Sequence, residues 1–271
     1  MCGICGCGEG PVHLDEHEHS HEHEHEHEHD HNHTHSHAAV HSHAPGLSQV
    51  RMVQIEQSIL AKNNQYAHEN RRFFSDHGLL VLNLVSSPGS GKTTLLTETI
   101  LRLKDDIGIA VIEGDQQTAR DAERILATGV QALQINTGKG CHLDAHRVGH
   151  ALEKLQLQDH SVLFIENVGN LVCPSAFDLG EAHKVVVLSV TEGEDKPIKY
   201  PDMFHAADLM ILNKIDLLPH LDFNVEECIQ YAKQVNPRIK ILSLSAKTGE
   251  GMDNWVQWLK AELQLQLIAY A

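Results

Sequence analysis

Residues 86–94 read SSPGSGKTT and directly follow a run of mostly apolar residues. They closely match the phosphate-binding P-loop pattern G-x-x-x-x-G-K-[ST], except that Ser86 stands where the first glycine is expected. Backbone amides of such a loop surround the phosphates, while Lys92 reaches the β and γ oxygens and Thr93 offers its hydroxyl to Mg²⁺. A simple glycine turn would not need this Lys-Thr pair, so the segment predicts a nucleotide site. Its predicted nucleotide-binding residues are Gly89, Ser90, Gly91, Lys92, Thr93 and Thr94.

Short β-branched runs alternate with amphipathic segments on the C-terminal side of Gly78. This rhythm predicts strands near 80–86, 109–113, 131–135, 161–166, 185–190, 208–213 and 239–244. It predicts helices near 92–104, 118–128, 144–156, 222–235 and 251–266. Uninterrupted apolar runs such as VVVL at 185–188 are typical of strands covered on both faces. Residues 79–271 are therefore predicted to form an α/β domain, with a mostly parallel sheet, helices on both faces and ligands at the carboxyl ends of the strands.

A second motif, Asn213-Lys214-Ile215-Asp216, follows a predicted strand and indicates which base is bound. The Asp216 carboxylate can accept hydrogen bonds from the N1–H and the exocyclic amine of guanine, whereas adenine presents a lone pair at N1. A third segment, Ser245-Ala246-Lys247, follows the last predicted strand. One of its backbone N–H groups would donate a hydrogen bond to O6 of guanine. The predicted base-binding residues are Asn213, Lys214, Asp216, Ser245, Ala246 and Lys247. Alone, the second motif is a common surface turn, but three elements in this order predict GTP.

Acidic residues follow two of the predicted strands, in Glu113-Gly114-Asp115 and in Glu166-Asn167-Val168-Gly169. Mg²⁺ and its waters need anions at such positions, although a solvated strand end is the alternative. We expect Asp115 to join Thr93 in binding Mg²⁺ and Glu166 to act through water. The predicted catalytic residues are Lys92, Thr93, Asp115 and Glu166. Asn170 stands where many signalling GTPases have a water-orienting glutamine, so slow intrinsic hydrolysis is expected.

The first 46 residues are of low complexity and carry 14 of the 23 histidines, between His13 and His43. They contain almost no large apolar side chain, so we predict a disordered metal-binding tail when metal is absent. Residues 47–78 have apolar residues at helical spacing and form a predicted helical segment of one long or two short helices. The irregular filling of the histidine run with Glu, Asp, Asn, Thr and Ser argues against an expression tag, and a solubility tail is the alternative.

The tail begins with three thiols in six residues, Cys2, Cys5 and Cys7, separated mostly by glycine. Three thiolates and a backbone or terminal nitrogen would form the square-planar set that Ni²⁺ favours. The alternative is a flexible tail with redox-prone thiols. Metal binding is favoured because thiols this clustered in a reducing compartment are typical of metal sites.

A second candidate metal site lies in the α/β domain. Cys141 and His142 follow a glycine-rich turn, and Cys173 follows the Glu166 segment closely. Two thiolates and an imidazole suit Zn²⁺ or Ni²⁺ with an open position. Each cysteine alone is more often a small buried hydrophobe, which is how we interpret Cys228.

The formal charge is −16, of which the first fifty residues carry −9 without any Lys or Arg. Phosphate backbones would be repelled, so nucleic acid is not an expected partner. The sequence has neither a run of about eighteen apolar residues nor the basic and apolar regions of a signal peptide. We therefore expect a cytoplasmic protein without membrane association.

Together these motifs resemble the HypB family of GTPases, of the SIMIBI class, which help to insert nickel into the large subunit of [NiFe] hydrogenase. The shared segments are the CGICGC start, the histidine run, the P-loop, Lys139–His142, Glu166–Pro174 and Thr191–Pro197. The resemblance implies a homodimer linked to GTP, a tail Ni²⁺ site at Cys2, Cys5 and Cys7, and a Zn²⁺ or Ni²⁺ site at Cys141, His142 and Cys173. It also implies two partners, the zinc-containing accessory protein HypA and, in some bacteria, the prolyl isomerase SlyD.

Two other functions stay open from the sequence. One is another metal-related GTPase, either the urease-type nickel GTPase UreG or a cobalamin-enzyme GTPase. UreG relatives carry Cys-Pro-His, whereas this chain has Cys173-Pro174-Ser175. The other is a nickel-storage protein with a vestigial nucleotide site. An intact Lys92, Thr93 and Asp216 count against that reading, while the histidine run predicts storage in addition to GTP hydrolysis.

Overall fold

A computed structural model describes residues 49–115, 120–138 and 140–270. The predicted tail, with Cys2, Cys5, Cys7 and the histidine run, lies outside these residues. Within the predicted helical segment, one helix, α1, spans Gln49–Asp76. The chain then turns at Gly78, whose φ of +60° favours glycine. No helix within the described ranges is long and apolar enough to cross a membrane.

In the part of the chain that the structure describes, seven parallel strands form one sheet in the order β3-β2-β4-β1-β5-β6-β7. Their bounds are β1 Leu80–Ser86, β2 Ile109–Asp115, β3 Gln131–Asn136, β4 Val162–Gly169, β5 His183–Ser189, β6 Leu209–Asn213 and β7 Lys240–Ser243. The predicted parallel α/β sheet is confirmed. The strand order places the P-loop, which follows central β1, between the ends of β4 and β5.

Among the described residues, six further helices connect the strands, and a seventh, α8, follows the last strand. They are α2 Lys92–Leu103, α3 Arg120–Leu126, α4 Ala145–Leu152, α5 Lys196–Lys199, α6 Pro201–Ala206, α7 Val225–Val235 and α8 Met252–Tyr270. Short 3₁₀ turns cover Cys173–Ser175 and Ile215–His220. The sequence analysis missed α5 and α6 because helices of four and six residues are too short to show an apolar period.

Apolar layers cover both faces of the sheet. Leu80, Leu82 and Leu84 of β1 pack in one cluster with side chains of α2, α3 and α8. Val81 and Val85 point to the other face of the sheet. There Val81 packs with α1 and α4, and Val85 packs with α6 and α7. This alternation confirms helices on both faces and holds the carboxyl end of β1 in place.

Two local differences from the sequence analysis affect the site. The acidic segment Glu166–Gly169 is part of β4, because its backbone continues to pair with β1 and β2, rather than following the strand. Asp115 likewise is the last residue of β2. The ends of β2 and β4 are rich in polar residues because they face the ligand site. A polar segment looks like a loop in the sequence, so both strands were predicted to end too early.

Candidate functional site

The P-loop leads from β1 into α2, and its conformation depends on glycine. Gly91 has a φ of +93°, and a Cβ atom there would lie 2.6 Å from Nδ2 of Asn213. Only glycine therefore allows this close approach between the P-loop and the last residue of β6. The backbone then enters α2 directly at Lys92.

Lys92 and Thr93 both contact the carboxylate of Glu166, from the end of β4. Lys92 Nζ donates to Glu166 Oε1 at 3.1 Å, and Thr93 Oγ1 donates to the same oxygen at 2.6 Å. Glu166 is only 2% exposed, and its Oε2 atom has no hydrogen-bond partner among the described residues. An unpaired anionic oxygen beside a P-loop hydroxyl fits the needs of Mg²⁺ and its waters.

Glu113 is a buried acid that the sequence analysis did not assign to the site. It lies opposite Glu166 in the pairing of β2 with β4 and is 3% exposed. Its Oε2 atom also lacks a hydrogen-bond partner among described residues. Burial, followed by repulsion from Glu166, Asp115 and Asp121, raises the pKa of Glu113 to about 8, against the opposing effect of Lys92. The sequence signal that could have identified Glu113 is an acidic residue within an otherwise apolar predicted strand.

Replacing Glu113 with glutamine is expected to change how stability depends on pH. Because the folded-state pKa lies above the value of 4.5 for an exposed glutamate, the folded protein binds the extra proton between about pH 4.5 and pH 8. The stability that protonated Glu113 contributes is therefore fully present below pH 4.5 and is lost as the pH rises to about 8. In urea unfolding without Mg²⁺ or nucleotide, Glu113→Gln should become more stable than the native protein as the pH rises from 5 to 8. Parallel curves for the two proteins would contradict this.

Three loops that are distant in sequence meet through Asn213. Its Nδ2 donates to the carbonyl of Ser90 at 3.0 Å, and its Oδ1 accepts from the Ala246 amide at 3.1 Å. Lys214 Nζ donates to the carbonyl of Gly89 at 2.6 Å. The P-loop and the two predicted base-binding segments therefore form one continuous structure.

Asp216 lies in the 3₁₀ turn after β6 and is oriented by a hydroxyl. Ser245 Oγ donates to Asp216 Oδ1 at 2.6 Å. The sequence analysis placed Ser245 near the base but did not foresee this contact. Of the other predicted nucleotide residues, Lys247 is exposed, and Thr94 Oγ1 accepts a hydrogen bond from Arg124 of α3 at 3.3 Å.

The predicted metal ligands of the α/β domain come together. Sγ of Cys141, a ring nitrogen of His142 and Sγ of Cys173 all lie within 4.8 Å of one another. The three residues are half-buried, and the His142 ring packs on Phe177 with centroids 3.9 Å apart. Burial lowers the pKa of His142, which keeps the imidazole neutral at pH 7 and able to bind a metal. Two thiols and a neutral imidazole fit Zn²⁺ or Ni²⁺.

Two asparagines connect the nucleotide strand with this cluster. Asn167, the residue after Glu166, is buried, and its Oδ1 accepts from the amide of Leu143 at 3.1 Å. Asn170 Nδ2 donates to the carbonyl of Cys141 at 3.3 Å. A shift of the end of β4 would therefore move the loop that carries Cys141 and its neighbour His142.

Residues 80–243 match the family model of the CobW/HypB/UreG nucleotide-binding domain, over more than half of the chain. The hydrogenase maturation factor HypB of Azotobacter chroococcum mcd 1 is 63% identical over 289 residues. That similarity covers 99% of this chain and 95% of the Azotobacter protein.

Solved structures agree with this result. HypB from Archaeoglobus fulgidus has a TM-score of 0.70 and 42% identity, and the match covers 75% of this chain and 99% of that one. HypB from Helicobacter pylori, solved in complex with nickel, has a TM-score of 0.70 and 41% identity, over 75% of this chain and 95% of that one. The chain therefore belongs to the HypB family of hydrogenase maturation factors, a nickel-associated family of P-loop GTPases.

Proposed function

We propose that this chain hydrolyses GTP and uses the nucleotide cycle to control nickel delivery to the large subunit of [NiFe] hydrogenase. The observation that carries the proposal is the connection through Asn167 and Asn170. The same strand end presents Glu166 to the P-loop and holds the backbone on which Cys141 lies. Nucleotide and metal can therefore influence each other through one short segment.

In this proposal the P-loop residues position GTP and stabilise charge on its phosphates. Lys92 would contact the β and γ oxygens, while Thr93 and Asp115 would hold Mg²⁺, whose charge would offset that of the phosphates. Glu166 acts through water. Asn170 Nδ2 donates to the carbonyl of Cys141, and its Oδ1 accepts from the amide of Val172. Because both polar atoms already bond to backbone, Asn170 does not replace a water-orienting glutamine, which supports a slow intrinsic rate.

Nickel is the proposed cargo at the Cys141/His142/Cys173 cluster, with Zn²⁺ as the competing ion. The nickel complex of the H. pylori relative supports this choice. Three ligands leave an open position, and we propose that the cluster faces a second subunit in a homodimer that closes with GTP. HypA and, where present, SlyD are the proposed accessory partners.

We propose that Cys2, Cys5 and Cys7 form an independent Ni²⁺ site and that the histidine run stores nickel. The many histidines of residues 13–43 can take up several ions weakly. A storage protein with a vestigial nucleotide site is less well supported, because Lys92 and Thr93 already both bond to the buried Glu166 carboxylate. We propose a cytoplasmic location without nucleic-acid partners.

Nickel insertion can be tested in a hydrogenase-producing bacterium in which this gene replaces the resident one. The Cys173→Ser variant should leave the hydrogenase large subunit without nickel, because the cluster loses one of its two thiols. Removal of residues 1–46 should make maturation depend on nickel added to the medium. Cys228→Ala is the matched control, since that thiol is fully buried on α7, where burial raises its pKa to about 12. Normal nickel content with Cys173→Ser would contradict the proposal.

A further inference from the structure

A buried lysine on β5, Lys184, holds the turn that carries Cys173. Its side chain is only 8% exposed. The Nζ atom donates to the carbonyls of Pro174 and Phe177, at 3.1 Å each, and to the carbonyl of Ser175 at 3.4 Å. All three donors of one ammonium group are therefore directed at one short segment of backbone.

That segment restrains two members of the candidate metal cluster. Pro174 directly follows Cys173, so the bond to its carbonyl fixes the backbone one residue from the thiol. Phe177 carries the ring that packs on His142, with centroids 3.9 Å apart. Lys184 thus contacts the backbone on both sides of the cluster: next to one ligand, and at the residue that supports another.

The positive charge of Lys184 is balanced by a carboxylate that β1 holds in place. Lys184 Nζ lies 3.7 Å from Oε1 of Glu181, whose side chain is also buried. Asn83 Nδ2, on β1, donates to the same oxygen at 3.0 Å. Asn83 Oδ1 in turn accepts from Asn167 Nδ2 at 3.2 Å. A buried polar chain therefore connects this lysine with the end of β4.

We propose that Lys184 is a positioning residue for the metal ligand Cys173, and that Glu181 and Asn83 fix the lysine in place. This inference rests on the proposed function, because it concerns the cluster that would hold nickel. Apolar side chains of similar volume are often as stable as a buried ion pair, so global stability does not account for the pair. A fully paired polar network instead specifies one conformation of the turn, and with it the place of the thiol.

The test counts thiolate ligands with Co²⁺ as the probe, because each bound thiolate contributes to a charge-transfer absorption band. The parent protein is the full chain with Cys2→Ser, Cys5→Ser and Cys7→Ser, so that the tail supplies no thiolate. The histidine run can bind Co²⁺ without adding to this band, and a chelator buffer fixes the free Co²⁺. In the parent the band should report both Cys141 and Cys173.

The informative variant combines Glu181→Gln with Lys184→Met in this parent. Both charges are removed together, so that neither is left buried and unpaired. At the free Co²⁺ that saturates the parent, at most about half of the band should remain, because Cys173 is no longer held beside Cys141. Cys173→Ser in the same parent defines the intensity of a single thiolate.

Two controls separate positioning from loss of fold. Lys104→Met also removes a lysine that donates to a backbone carbonyl, that of Thr128 at 2.8 Å, and should keep the full band. Cys228 is fully buried and should resist alkylation in every variant.

The possible failures are distinguishable. A full band in the double variant, or alkylation of Cys228 there, would overturn this inference alone. A parent without any thiolate band would overturn it together with the proposed nickel cargo at the cluster.

Discussion

Replacing Lys92 with alanine is expected to abolish measurable GTP hydrolysis. Lys92 is the P-loop lysine, and Nζ already lies in a buried arrangement 3.1 Å from Glu166. Loss of one such charge-stabilising donor lowers kcat by about 10²- to 10³-fold. Because we propose a slow intrinsic rate, hydrolysis by this variant should fall below detection. Release of phosphate from GTP in single-turnover experiments is the measurement.

A separate effect on folding must be distinguished from this loss. Removing Lys92 leaves the Glu166 carboxylate buried with only the Thr93 hydroxyl, which costs about 3 kcal/mol. The double variant Lys92→Ala with Glu166→Gln should recover much of that stability in urea unfolding without recovering hydrolysis. Lys62→Ala, an exposed lysine on α1, is the control. Native hydrolysis rates in Lys92→Ala would place the active site elsewhere.

Replacing Asp216 with asparagine is expected to exchange guanine specificity for xanthine. The native carboxylate can accept two hydrogen bonds from guanine, each worth about 1.5–3 kcal/mol because the acceptor is charged, so GTP affinity should fall about 10²- to 10⁴-fold. The new amide can donate to the additional oxygen of xanthine. Competition of GTP, XTP and ATP for the protein, followed by fluorescence, measures the change.

The local fold should survive this substitution. Ser245 Oγ donates to Asp216 Oδ1, and an asparagine oxygen can accept the same bond. Asp222→Asn, an exposed acid outside the base-binding segments, is the matched control and should keep native GTP affinity. Equal binding of ATP and GTP by the native protein would contradict the assignment of Asp216.

The sheet and the nucleotide loops were predictable because each has a local signature. Residues 185–188 and 209–212 are apolar without alternation, which indicates burial on both faces, and both lie in interior strands of the observed sheet. The P-loop and residues 213–216 are contiguous motifs whose residue types follow from phosphate and guanine chemistry. Their meeting through Asn213 then follows from the parallel order of the strands.

Other features depend on neighbours that are far apart in sequence. Glu113 belongs to the site because it lies opposite Glu166 on the adjacent strand. The register that pairs these two residues cannot be predicted from the sequence of either strand. Asn167 resembles an ordinary polar strand end until its contact with Leu143 is known.

The central claim is that nucleotide and metal are coupled through the end of β4. It is tested most directly by titrating residues 47–271 with Ni²⁺ and Zn²⁺ in the GDP state and with a non-hydrolysable GTP analogue, while the oligomeric state is measured. We expect metal affinity at the Cys141/His142/Cys173 cluster to differ about tenfold between the states, a coupling of about 1.4 kcal/mol, with dimerisation favoured by the analogue. Identical metal affinity in both states, with no change in dimerisation, would contradict the account.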